Sequence, residues 1–243
     1  MKKALNLLQR DVFRLHRDNL LLFLIAYPIA IAILARLVAP MVPIEHFVIY
    51  IAPPMIMFAP LSFGMVFGFN LIEEKEEQTW LLIRVVPLRV AAYFVYLVAV
   101  TALPAFALSL VTALLYGQPV ANPGQFILMV FATALTAPLW ALMLGVIAHN
   151  KVEGLALTKT ISFITLAPGL AFILSPTWQV TVGWNPWYWS YLGLIKAFTS
   201  EAVLGELAII MPGYPSFIFW LAPVILSLAA VVGLSRAWRQ RVE

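Results

Sequence analysis

The residues most able to do chemistry lie in one short charged segment between two long apolar stretches, EEKEEQTWLLIRVVP, residues 73–87. It opens with four glutamates around one lysine: Glu73, Glu74, Lys75, Glu76 and Glu77. Negative charge stabilises the amino terminus of a helix, and Pro87 ends any helix that follows. We expect a short helix with an acidic head and an apolar body, which would transmit motion between a soluble partner and the flanking segments. The run is also consistent with an ordinary solvated loop.

Other kinds of site are not supported by the residue pattern. The chain has no cysteine, and its histidines (His16, His46 and His149) are scattered without the spacing of metal ligands. The phosphate-binding motif G-x-x-x-x-G-K-[ST] does not occur, so the chain cannot hydrolyse ATP by that route. Within the apolar stretches we find no carboxylate–histidine pair, which argues against an intramembrane enzyme and against a proton- or sodium-driven carrier.

The composition places the chain in a membrane. Of its 243 residues, 63% are hydrophobic and 11% are charged, whereas soluble domains have about half apolar and a quarter charged residues. The first apolar run follows a long charged stretch and exceeds the apolar region of a signal peptide, so we interpret it as a retained span. We interpret the excess of basic residues as setting the orientation of the spans in the membrane, and we expect no nucleic-acid partner.

Six apolar runs are long enough to cross a bilayer, which requires about 20 residues. They are Leu20–Ala39, Phe47–Ile72, Ala91–Tyr116, Phe126–Ala148, Leu157–Leu174 and Ser216–Leu234. The predicted fold is therefore all-α, a single transmembrane domain over residues 1–243. It divides into an amino-terminal interfacial helix (1–19), spans one and two (20–72), a segment that we call the coupling segment (73–89), spans three to five (91–175), an outer-face segment (176–215), span six (216–234) and a tail (235–243).

The distribution of basic residues predicts the orientation. Lys and Arg favour the cytoplasmic side of a membrane, and six spans put thirteen of the fifteen on one side, leaving only Arg36 and Lys196 opposite. Both termini are then cytoplasmic. A seventh span over residues 190–211 would carry Lys196, Glu201 and Glu206 through the bilayer, at about 2.5–3.5 kcal/mol each. We instead expect residues 178–211, which begin with WQVTVGWNPWYWSY, to lie at the outer interface or to dip into it.

The amino-terminal segment repeats apolar residues at helical spacing, at Leu5, Leu8, Val12 and Leu15. Its basic residues lie mostly off that stripe. This pattern predicts an amphipathic helix on the cytoplasmic leaflet.

Small and polar residues within the second and fifth runs are candidates for packing or for a transport pathway. Gly64 and Gly68 form a G-x-x-x-G pair that allows close helix packing. Phe63, Phe67 and Asn70 lie on a neighbouring face and could line a pathway. A further stripe contains Ser162 and Thr165, for which helix packing through hydroxyl hydrogen bonds is the simpler interpretation.

The order of these features resembles the type-2 export class of ABC transporter permeases, notably its multidrug or fluoroquinolone-export-like members. Those permeases have a Glu-rich coupling segment with a threonine and a final proline after the second span, to which Glu73–Glu77, Thr79 and Pro87 correspond. Gln78 stands where the family often has glycine. Similar stretches are QRDVFRLHRDNLLLFLIAYPIAIAI (9–33), LAPGLAFILSP (166–176) and NPWYW (185–189), the last two where the family places short re-entrant helices.

The resemblance implies the membrane subunit of an ATP-driven exporter in the cell membrane. A separate ATP-binding cassette subunit would bind ATP and Mg and dock on the coupling segment, and a second permease chain, identical or a sister, would complete the transporter. The substrate would be hydrophobic or amphiphilic, such as a drug or lipid, and this chain would bind no cofactor or metal. In that family the second and fifth spans flank the dimer interface, which favours a pathway role for Ser162 and Thr165. A non-transporting membrane protein, such as an immunity or assembly factor, and an intramembrane enzyme remain the alternatives.

Overall fold

The computed structural model describes residues 19–44, 46–77, 90–174, 182, 185–200 and, except for 223, 226 and 235, residues 221–236. Its helices are α1 (Asn19–Val38), α2 (Phe47–Glu76), α3 (Val90–Tyr116), α4 (Pro123–Ala134), α5 (Ala137–Ile147), α6 (Lys151–Leu174) and α7 (Pro186–Phe198), with a 3-10 turn at Ala39–Met41. Residues 227–234 are also helical. Every regular element in this part of the chain is a helix, which confirms the all-α prediction.

Four helical segments are long and apolar enough to cross a membrane: Leu22–Met41, Phe47–Glu76, Val95–Tyr116 and Pro123–Ile147. They correspond to the first four predicted spans. Six spans remain a prediction, although α6 covers the fifth run and starts six residues before it. The predicted amino-terminal interfacial helix lies almost wholly outside the described residues.

Helix α2 is the centre of the bundle. Every residue from Ala52 to Ile72 is buried, and α2 packs against α1 and against each of the helices α3 to α7. Its apolar residues surround the whole helix, a pattern that is typical of a helix with neighbours on every side. Because α2 contacts α1 and each of the helices α3 to α7, a displacement of its end would act on all of these helices.

The outside of the bundle carries large apolar side chains. Exposed examples are Phe23, Leu37, Val95, Leu114, Leu128 and Phe163. An apolar surface of this extent is unfavourable in water, whereas lipid chains are as apolar as the side chains themselves. The surface therefore fits a bilayer, and the chain is a membrane protein.

The fourth predicted span, Phe126–Ala148, is not one continuous helix. It is divided into α4 and α5, with Leu135 and Thr136 between them. Pro138 has no N–H to donate to the carbonyl of Ala134, four residues earlier. The Thr136 hydroxyl donates instead to the Thr133 carbonyl over 2.7 Å. The helix is therefore broken at this proline.

Two other prolines inside helices release carbonyls that a neighbouring helix satisfies. Pro60 leaves the Ile56 carbonyl without its helical partner, and Ser109 of α3 donates to it over 3.2 Å. Pro168 releases the Ile164 carbonyl in the same way, and the Asn185 amide donates to it over 2.9 Å. Backbone groups freed by proline must find new partners where water is absent, so each proline fixes a contact between two helices.

Helix α7 packs inside the bundle, and its first residues are not exposed interfacial aromatics. Trp187 stacks on Trp140 of α5, with ring centroids 4.2 Å apart and an angle of 17° between the planes. Tyr188 and Tyr191 are fully buried. The other end of α7 meets the α3–α4 loop, where two backbone N–H groups donate to the Ala197 carbonyl. The aromatic residues that suggested a headgroup location are thus used for packing between helices.

Candidate functional site

The acidic run lies at the carboxyl end of α2 and does not begin a separate helix. Residues 73–76 form the last turn of this 30-residue helix, and Glu77 is its C-cap. Neither proline nor glycine separates this turn from the apolar run, and Glu and Lys are good helix formers, so the helix continues. The prediction of an acidic helix head is therefore wrong for these residues. Thr79 and Pro87 lie outside the described residues, as does the rest of the coupling segment.

Carboxylates at the carboxyl end of a helix face an unfavourable dipole, and their neighbours compensate for it. Glu76 Oε1 accepts a hydrogen bond from the backbone N–H of Lys151 over 3.1 Å. Glu73 Oε1 lies 3.6 Å from the Lys151 ammonium. Lys151 is the first residue of α6, so the end of α2 lies against the positive end of another helix.

Lys75 makes the second contact of this turn, with the carboxyl end of α5. Its ammonium donates to the carbonyls of Gly145 and Ala148, over 2.7 Å each. The last carbonyls of a helix have no partner within the helix, and a cation stabilises that end. Glu74 of the same turn is buried. The first residues of the coupling segment thus meet α5 and α6 at the turn that joins these two helices.

A capping arrangement that the sequence analysis missed begins α6; it is similar to a capping box, but the glutamate bonds to the residue before the N-cap. The Asn150 side chain accepts from the Glu153 backbone N–H over 2.8 Å, and Glu153 Oε2 accepts from the His149 backbone N–H over 2.8 Å. The same oxygen lies 3.0 Å from His149 Nδ1. An N-cap residue followed three positions later by glutamate is a sequence signature of a helix start. The stretch HNKVEG (149–154) contains this signature at Asn150 and Glu153, so the start of α6 could have been predicted from it.

The hydrogen bond from the His149 backbone lowers the pKa of Glu153 below its usual 4.5, with the His149 side chain adding to the effect. A carboxyl whose folded pKa is depressed stabilises the fold above its unfolded pKa and loses that contribution as the pH falls through the folded value.

We therefore predict that Glu153→Gln, which keeps the acceptor and removes the charge, lowers the thermal unfolding midpoint of the purified chain at pH 7. The difference from the parent should shrink as the pH falls below about 4.5, because Glu153 takes up a proton first in the unfolded chain and then, at a lower pH, in the folded chain. Unfolding monitored by tryptophan fluorescence across this pH range measures it. A difference that is the same at pH 7 and pH 3.5 would contradict the assignment.

Gly64 and Gly68 face α5 of the same chain. A Cβ at Gly64 would clash with the Trp140 Cβ and lie 2.7 Å from the Ala137 carbonyl oxygen. At Gly68 it would lie 2.7 Å from Leu144 Cβ and Cδ1. The G-x-x-x-G surface is therefore used for packing within one chain, where the two helices approach too closely for any side chain at Gly64.

The predicted pathway residues are buried or partly buried in the described bundle. Phe63, Phe67 and Asn70 are buried on α2. Ser162 is partly buried and Thr165 is buried, and each hydroxyl donates to a carbonyl of its own helix, at 2.7 and 3.0 Å. Among these five, Asn70 has a buried amide nitrogen without a hydrogen-bond partner. The role of these residues in a pathway stays a prediction. Asn70 is the one among them whose amide N–H group is still available to donate a hydrogen bond to a substrate.

In the described part of the chain, no group of three or more His, Cys, Asp or Glu side chains could hold a metal ion.

Known proteins share this sequence pattern over most of the chain. A family model described as "Fluoroquinolones export permease protein Rv2686c-like" matches residues 11–225. Two curated relatives come from Mycobacterium tuberculosis: Fluoroquinolones export permease protein Rv2686c, from strain ATCC 25618 / H37Rv, and Fluoroquinolones export permease protein MT2760, from strain CDC 1551 / Oshkosh. Each is 21% identical over 197 residues, which cover 75% of this chain and 77% of the relative.

Proposed function

Because the chain belongs to the Rv2686c-like family of fluoroquinolone export permease proteins, we propose that it is the transmembrane subunit of an ATP-driven exporter. A separate ATP-binding cassette subunit would bind ATP and Mg and would dock on the coupling segment. A second permease chain, identical or a sister, would complete the pathway, with six spans in each chain and both termini in the cytoplasm. The observation that carries this proposal is the family match, which extends over residues 11–225.

The geometry at the end of α2 supports the proposed coupling. The coupling segment continues directly from α2, the helix that contacts α1 and each of the helices α3 to α7. A force applied by a soluble subunit to residues 78–89 would therefore act on the end of the central helix without an intervening flexible turn at residues 73–77. The chain lacks a phosphate-binding loop, so the energy for such a force would come from the partner.

The names of the relatives and the predicted pathway residues support a proposal for the substrate class. The M. tuberculosis relatives are named for fluoroquinolones, which are planar aromatic molecules with polar substituents. The predicted pathway side chains Phe63 and Phe67 are aromatic, and Asn70 offers an unpaired amide donor. Aromatic faces with a few polar groups are the usual features of sites for amphiphilic ligands. We therefore propose an amphiphilic, aromatic substrate such as a drug.

The proposal is tested by accumulation of norfloxacin, a fluorescent fluoroquinolone, in an efflux-deficient bacterial host. Cells would express this chain with the ATP-binding cassette subunit from its own genome. The matched control replaces the phosphate-loop lysine of that subunit. We expect cells with the active pair to accumulate at least threefold less norfloxacin than cells with the inactive ATP-binding subunit. A protonophore should not change this difference as long as the ATP level in the cells is maintained. Equal accumulation in both strains, or a decrease that persists with the inactive ATPase, would contradict ATP-driven export of this substrate.

A further inference from the structure

We propose that Lys75 is a positioning residue that joins the ends of α2, α5 and α6 into one rigid junction, so that a displacement of the coupling segment moves all three helices together. The junction is defined here as residues 73–76 together with the turn between α5 and α6, residues 148–150. The transmission role rests on the proposed function, whereas the rigidity of the junction does not.

On the α5 side of the junction, the side chain of Lys75 adds polar contacts to the apolar packing between α2 and α5. Its ammonium lies 2.7 Å from both the Gly145 and the Ala148 carbonyl oxygens, 70 and 73 residues away in sequence. These two carbonyls belong to the last turn and C-cap of α5, so one side chain closes the end of that helix. Lysine donates up to three hydrogen bonds from one ammonium group, and each of these two is assisted by its charge.

The α6 side of the junction is held by the residues on either side of Lys75 in the same helical turn. Glu76 accepts from the Lys151 backbone, and Glu73 faces the Lys151 ammonium. Apolar packing continues this contact one turn deeper. A Cβ at Gly154 of α6 would lie 2.7 Å from Ile72 Cδ1, so α2 and α6 touch closely at this level.

These contacts prevent independent motion of the three ends. The turn between α5 and α6 has only three residues, and a single turn of α2 binds both of its ends. If the coupling segment pulled α2 along its axis, the ammonium of Lys75 would pull the end of α5, and Glu76 would pull the start of α6. Without the Lys75 contacts, the last turn of α2 would be held less firmly to the end of α5, because the close packing at Gly64 and Gly68 begins about two turns away from Lys75.

The first experiment tests rigidity in the purified chain, without any partner. The sequence has no cysteine, so spin labels can be attached at Glu77→Cys and Ile147→Cys, two exposed positions at the ends of α2 and α5. We expect one narrow distance distribution in the parent and in Lys75→Arg. For Lys75→Met we expect a distribution at least twice as broad. An unchanged distribution in Lys75→Met would overturn the rigid junction.

The second experiment measures transmission in the assembled transporter with its ATP-binding subunit. The readout is the number of substrate molecules exported per ATP hydrolysed. Substitution of a residue that only stabilises the fold would lower the protein yield, the export rate and the ATPase rate together, and would leave this ratio unchanged. We expect Lys75→Met to lower this ratio at least tenfold and Lys75→Arg to restore most of it. A constant ratio would overturn the transmission role. If the parent pair shows no ATP-driven export, the proposed function fails instead, and the distance measurement decides the junction separately.

Discussion

Replacing Gly64 with alanine will destabilise the folded chain by about 3 kcal/mol, the upper part of the range for overpacking a tightly packed interior. The added Cβ would meet the Trp140 Cβ and the Ala137 carbonyl. Neither can turn away, since one is the first atom of a side chain and the other belongs to the backbone. The two helices must separate, and α2 then loses its contact with α5 along the whole G-x-x-x-G surface.

The measurement is the thermal or denaturant unfolding midpoint of detergent-purified protein, together with the yield of monodisperse chain. Gly124→Ala and Gly233→Ala are matched controls, because each glycine is helical and exposed and a Cβ would meet nothing within 4 Å. We expect the controls to unfold like the parent. Gly68→Ala should fall between them and Gly64→Ala, because its Cβ meets no backbone atom, approaches Leu144 Cβ less closely than the Gly64 Cβ approaches Trp140 Cβ, and meets Leu144 Cδ1, which can rotate away. Equal midpoints for Gly64→Ala and the controls would contradict the α2–α5 packing.

Replacing Asn185 with serine will destabilise the chain by about 1–2 kcal/mol, the cost of leaving a partly buried carbonyl without a partner. Asn185 has two roles: its side-chain oxygen accepts from the Trp187 backbone N–H over 2.9 Å, and its amide donates to the Ile164 carbonyl over 2.9 Å. Serine is also a good N-cap, so it can keep the first role. It is too short to keep the second.

Pro168 provides the internal control for this assignment. The Ile164 carbonyl needs Asn185 only because Pro168 has no N–H to offer it. In a Pro168→Ala background the alanine N–H can take that place, and the Asn185→Ser substitution should then cost less than half as much. A double-mutant cycle of unfolding midpoints measures the coupling between the two positions. Equal costs of Asn185→Ser in both backgrounds would show that the contact with Ile164 contributes no stability.

The sequence was sufficient for the features that depend on local composition. The all-α fold and the positions of the second and third apolar helices were predicted to within a few residues, because long apolar runs between charged stretches allow few alternatives in a membrane protein. The resemblance to fluoroquinolone export permeases also came from the sequence, and the family match confirms it. It depended on the order of several individually weak motifs along the chain.

The features that were missed depend on contacts between distant residues. Glutamates and lysine favour a helix equally at its start or in its interior, so the acidic turn was assigned to the beginning of a helix when it ends α2. Its partners, Gly145 and Lys151, are some 70 residues away. The hydrogen bond from Asn185 to the Ile164 carbonyl joins residues 21 positions apart, and nothing in the local sequence indicates it.

The burial of the aromatic residues of α7 was not predicted, for a related reason. Trp and Tyr are enriched both at membrane interfaces and wherever a large side chain fills a space between helices. Composition alone does not separate these two uses. The stack of Trp187 on Trp140 and the burial of Tyr191 show that packing accounts for both residues here.

The central claim is that this chain works as the membrane subunit of an ATP-driven exporter. Its most direct test is purification of the chain from its native membrane in a mild detergent, followed by mass spectrometry of everything that remains bound. We predict that a soluble subunit with a phosphate-loop ATPase remains bound in a fixed ratio to the permease. This subunit should no longer be bound when residues 78–87 are replaced by a Gly/Ser linker of equal length. Repeated isolation of the intact, folded chain without any ATPase would contradict the claim and favour a non-transporting membrane protein.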